Sequence, residues 1–178
     1  MYFILLARKS QTFLHIFYNL SQTIFIKLLG EVTMELNEYN QKAINDVYKN
    51  AHIALQSISD LIPAVEDDDI KSELVEEYEG YEKIIGKIST FMAENKIEPK
   101  DINPFKKAML WSSIKMKTLF NNSRNQVAEM MINGTVMGIN ELTAMKNEGS
   151  NLNENVLSLL EELLALEEDY EQRLKTFL

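Results

Sequence analysis

The chain contains no cysteine. That removes disulfides, thiolate metal sites, thiol nucleophiles and iron–sulfur ligation together. Proline (three) and glycine (six) are scarce among 178 residues, which argues against a turn-rich all-β protein. Two histidines leave little for Ser-His catalysis or a His-rich metal site. Lys and Arg number 18 against 27 Asp and Glu, for a net charge of -9 and a pI near 4.8. Phosphate contacts need clustered basic residues, so no nucleic-acid partner is expected. Phosphate-cradling glycine loops, nucleophile elbows and kinase-type motifs are also missing. What is present is ordinary for a globular protein, with 46% hydrophobic and 25% charged residues.

Residues 1–33 differ from the rest. They carry Arg8, Lys9 and Lys27 against Glu31, a charge of +2, which leaves -11 on the remaining 145 residues. The basic residues follow the first apolar run rather than precede it, and no small-residue cleavage site appears, so a signal peptide fits poorly. The best apolar window, 13–29, is broken by His15, Asn19, Ser21, Gln22 and Lys27, short of a membrane span. A basic amphipathic anchor is one alternative. We prefer another reading. Gly30-Glu31-Val32-Thr33-Met34 is what GGA-GAG-GTG-ACA-ATG encodes, a translated ribosome-binding site ahead of a start codon. Residues 1–33 are then an over-extended N-terminus, 34–178 are the domain, and a cytoplasmic protein is expected. A membrane role would require residues 1–33 to be real.

From Met34 onward the periodicity is helical. Ile44, Val47, Ala51, Leu55, Ile58 and Leu61 recur in steps of three and four before Pro63. Asp67, Asp68 and Asp69 supply a cap and first-turn acids for a second helix, through Leu74, Tyr81, Ile84 and Ile88 to about Asn95. Asn103-Pro104 starts a short helix containing Trp111. The spacing predicts a third long helix from Ser123 to about Asn147 and a fourth from near Asn153 to Phe177. Four helices of matched length, each with an apolar stripe, predict an all-α four-helix bundle. The long, partly helical connection between the second and third either crosses the bundle, as in ferritin-like connectivity, or lids one end of an up-down-up-down arrangement.

Winding each helix at 100° per residue places few polar groups on inner faces: His52, Glu77, Glu141 and Glu167. With a crossover, His52, Glu77 and Glu167 come level and Glu141 lies nearer one end. Without it, His52, Glu77 and Glu141 come level. These four are the candidate metal ligands, for Fe, Mn or Zn. Carboxylate-bridged di-metal bundles use Glu-x-x-His on two helices, and that pattern is absent here. Buried glutamates also have non-metal uses, snorkelling to solvent or bonding to Tyr78, Tyr81 or Tyr170. The methionines of the third helix read as adaptable core, or as a binding face. Gly134 and Gly138, four apart, allow one close crossing or a large neighbour. The acidic runs at 66–69, 76–79 and 161–169 read as solvated faces and caps, without calcium-loop spacing.

The stretch Ala128-Glu129-Met130-Met131-Ile132-Asn133-Gly134, then Met137-Gly138-Ile139, together with 99–104 leading into Trp111 and Lys115-Met116, resembles small ferritin-like proteins of clostridia and related Firmicutes. The resemblance covers 34–178 and implies a ferritin-like four-helix bundle, without implying an activity. In the proteins it resembles a His often stands where this chain has Gln126, giving His-x-x-Glu with Glu129, so the resemblance implies a weakened metal role here. No catalytic residue and no cofactor are expected. The leading expectation is a non-enzymatic bundle acting through a protein partner or self-association, a dimer for instance, in a stress-related, structural or regulatory role. The alternative is a degenerate ferritin-like metal-binding protein.

Overall fold

The computed structural model describes residues 36–100, 123–149 and 151–178. The expectations for residues 1–33 and for the short helix around Trp111 lie outside them. Four α-helices form among the described residues: α1 (Glu38–Leu61), α2 (Asp68–Glu94), α3 (Arg124–Glu148) and α4 (Glu154–Lys175). A single 3-10 turn, Ile62–Ala64, follows α1 where Pro63 stops the α-helix.

The ends follow from local chemistry. Asn37 caps α1 by accepting from Asn40 N at 2.9 Å. Asp67 caps α2 by accepting from the N–H groups of Asp69 and Ile70, both at 3.1 Å. Asn153 caps α4 through Asn155 N at 2.9 Å. Each satisfies an N–H that the first turn leaves without a partner. Ser123 precedes α3 without such a bond. At the end of α2, Lys96 takes φ 55° and returns the chain, while Ile97 N donates to Met92 O at 2.9 Å.

Long-range polar contacts fix the helix directions. Arg124 at the start of α3 donates from Nε and Nη2 to both carboxylate oxygens of Asp67, at 2.9 Å each, and from Nη2 to Asp69 at 2.6 Å. The beginnings of α2 and α3 therefore share one end of the bundle. At the other end, Asn153 N donates to Asn40 Oδ1 at 2.7 Å and Lys100 N to Asn45 Oδ1 at 2.7 Å. Thus α1 and α4 run parallel, α2 and α3 run parallel, and the two pairs are opposed. Lys100 and Ser123, which flank residues 101–122, therefore lie at opposite ends of a bundle about 40 Å long, the order of a crossover and not of a lid.

The core is continuous. Ile44, Val47, Ala51, Ile58 and Leu61 of α1 pack with Ile70, Leu74, Ile84, Ile88 and Met92 of α2, Val127, Ala128 and Leu142 of α3, and Val156, Leu160, Leu163 and Leu174 of α4. Packing is closest within the α1–α2 and α3–α4 hairpins, while α1 and α3 touch least among the facing pairs. That loose seam gives the molecule its clefts.

Candidate functional site

The polar centre of the core is a ladder between two antiparallel helices. Glu73, Glu77 and Tyr81 lie one turn apart on one stripe of α2. Glu167, Tyr170 and Arg173 lie at steps of three on α4. Because the helices are opposed, Arg173 meets Glu73 and Glu77 at one end and Tyr81 meets Glu167 at the other. Arg173 Nε donates to Glu73 Oε1 at 2.5 Å and Nη2 donates to Glu77 Oε2 at 2.7 Å. Its Nη1 also bonds Asp169. One guanidinium thus serves three carboxylates, the fork geometry that suits Arg and not Lys.

Glu77 and Glu167 are 0% and 1% exposed, so neither snorkels. Both belong to acidic runs read from sequence as solvated faces, and that reading fails at these two positions because each falls on the inward stripe. Burial pushes the Glu77 carboxyl up to about 8, against the pull of Arg173. Burial pushes Glu167 up to about 8 as well, opposed by its bond to Tyr81 and aided by the charge of Glu141. The phenols of Tyr81 and Tyr170 are raised by burial and by the surrounding carboxylates. Among the described residues, Glu77 Oε1, Glu167 Oε2 and the Tyr170 hydroxyl are buried without a hydrogen-bond partner. Unsatisfied buried oxygens are costly and rare, so three in one centre mark it as special.

Gly138 of α3 makes room for Glu167. A Cβ there would overlap Glu167 Oε2 and stand 3.0 Å from its Cδ. The large neighbour that the glycine spacing allows is thus, at Gly138, a carboxylate. A Cβ at Gly134 meets nothing within 4 Å, because that glycine faces a cavity.

The cavity lies at the α1–α3 seam and holds about 470 Å³. Ile53, Ala54 and Ile58 of α1 and Met130, Met131 and Met137 of α3 form apolar walls, and Tyr81, Glu167 and Tyr170 line its inner side. Asn50 Nδ2 reaches Glu141 Oε2 at 3.5 Å across the seam. Beyond that contact a second, more polar cleft opens between Tyr39, Lys42 and Asp46 of α1 and Met145 and Glu148 of α3.

The four sequence-predicted ligands are therefore dispersed in role. Glu77 and Glu167 meet in the core. Glu141 is exposed at the mouth of the cavity and acts on Glu167 only through its charge. His52 packs edge-on against Tyr48, ring centres 4.3 Å apart, with its imidazole held below the usual range by burial. Among the described residues no group of three His, Asp or Glu is disposed to hold a metal ion. Two carboxylates, one already bound by a guanidinium, do not fit a carboxylate-bridged pair of metals. Sequence reasoning missed Arg173 and Glu73. The signal was their placement, one at the edge of each inner stripe.

No helix among the described residues is long and apolar enough to cross a membrane. Comparison of the chain with protein-family models, with curated proteins and with solved structures returned no match.

Proposed function

We propose that this bundle is a non-enzymatic cytoplasmic protein that acts through protein contacts, with self-association as the nearest case. The observation that carries this reading is the outer side of α3. Val127, Ala128, Met131 and Leu142 face the core, yet Val136 and Met137 of the same helix are 36% and 67% exposed. A helix apolar on more than one side has more hydrophobic surface than its own bundle covers. Val136 and Ile139 of α3 join Ala165 of α4 in a shallow depression edged by Glu168, Asp169 and Glu171. An apolar patch inside a charged rim has the composition of a contact surface. In sedimentation of the full-length chain, we expect a concentration-dependent dimer that Val136→Glu converts to monomer with helicity unchanged. A wild-type monomer, together with no protein adduct from a photo-crosslinker placed at position 136 in cells, would contradict the reading.

A second reading, a degenerate ferritin-like bundle with a mononuclear Fe, Mn or Zn site, is favoured by two observations. The parallel pairing of α1 with α4 and of α2 with α3 is the connectivity such bundles have. Glu77 and Glu167 also leave one oxygen each without a partner in the core. Arg173 weighs against it by supplying Glu77 with a cation from the chain itself.

A further inference from the structure

Among the described residues, two glutamates are buried in this core, and one of them has a counter-charge. Glu77 is paired with Arg173 at 2.7 Å. Glu167, 1% exposed, has a tyrosine neighbour, a second carboxylate and an Oε2 without a hydrogen-bond partner. Glu167 also lines the α1–α3 cavity, where among the described residues the other charged side chain is Glu141 and none is Lys, Arg or His. The rest of the described wall is aliphatic side chains, methionines and tyrosines, with Asn50, Ser57 and Thr135 as its neutral polar groups. Its volume of about 470 Å³ lies in the range of small-molecule sites.

We propose that this cavity binds a small organic amine, a primary ammonium group on an apolar body, with the ammonium at Glu167 Oε2. The ammonium brings the positive charge that the described wall lacks and a donor for Oε2, since the Ser57 and Thr135 hydroxyls and the Asn50 amide donate instead to Ile53 O, Met131 O and Glu141. The apolar body fills the space between Ile53, Ile58 and Met130, and Tyr81 offers a ring to the cation. An anionic ligand of the same shape meets the charge of Glu141 and no cation among the described wall residues. A bare metal ion is poorly served, because one buried carboxylate in an apolar wall supplies too few ligands. Val136 takes no part in this site, whereas Met137, the other outward apolar side chain of α3, lies in its wall.

Phenethylamine and phenylpropionate share a skeleton and carry opposite charges. Calorimetric titration of the full-length chain should show one phenethylamine bound and no phenylpropionate. Glu167→Gln should weaken the amine by about tenfold or more, the loss of one charge-assisted hydrogen bond in a buried site. Gly134→Leu, which places a side chain in open cavity space, should abolish binding while the thermal melt stays cooperative. It guards against a Glu167 variant that folds poorly. The proposal is overturned by absence of heat with phenethylamine, by equal binding of the carboxylate, or by unchanged affinity in either folded variant.

Discussion

Raising the pH from about 4.5 to about 8 is expected to destabilise the full-length chain, and Glu167→Gln to remove much of that loss. A carboxyl raised by burial binds its proton more tightly folded than unfolded. Its contribution to stability is complete below the unfolded value of 4.5 and declines as pH rises towards the folded value of about 8. Over that window one group accounts for a loss on the order of 4 kcal/mol. Glu77 moves in the same direction. His52 opposes them: its depressed value means that stability rises as pH climbs through the imidazole range. Asp67, held low by its bond from the Ile70 N–H and by Arg124, matters only in more acid solution. The difference between wild type and Glu167→Gln isolates Glu167 from all three. Urea midpoints at a series of pH values should converge in acid, with the variant the more stable at pH 8. Parallel curves would show that Glu167 titrates as an exposed glutamate does.

Arg173→Met carries the other large effect. The substitution keeps much of the apolar stem and removes the one cation serving Glu73, Glu77 and Asp169. Breaking a buried pair leaves an uncompensated charge and costs about 3–5 kcal/mol. Arg173 is 32% exposed on its side chain, so the lower end, about 3 kcal/mol, is expected above the folded titration of Glu77. Below it Glu77 takes up a proton and the loss shrinks. The double variant Arg173→Met with Glu77→Gln should recover most of the stability, since position 77 then carries no uncompensated buried charge. Denaturant unfolding of the two single variants and the double variant gives the coupling directly. A purely additive result would mean that the pair seen at 2.7 Å contributes nothing.

Much of this architecture is written in local chemistry. Pro63 and the caps at Asp67, Ser123 and Asn153 delimit helices whose bounds fall within a few residues of those read from periodicity. The inward position of Glu77 and Glu167 was legible for the same reason, since a 100° step puts them beside Leu74, Tyr81, Leu163 and Tyr170. Their partners were not legible. Arg173 sits at a stripe edge, where an arginine that snorkels and one that closes an ion pair look alike in sequence. Choosing between crossover and lid required a contact between helices distant in sequence, and Arg124 on Asp67, 57 positions away, supplied it. Gly134 and Gly138 look equivalent along α3. One faces open space and the other a carboxylate because only Gly138 is set against α4 at the level of Glu167. The outward apolar side chains Val136 and Met137 blur the stripe of α3, which is why its buried side was the hardest to assign.

The core acids are held by the chain's own groups, Arg173 on Glu77 and Tyr81 beside Glu167, and on the function proposed above they serve the fold and bind no metal. Elemental analysis of the untagged full-length protein, loaded anaerobically with iron, manganese or zinc and then dialysed, tests it most directly. The account predicts substoichiometric metal that washes away and does not change in Glu77→Gln. One equivalent per chain retained through dialysis, and lost in Glu77→Gln or Glu167→Gln, would contradict it.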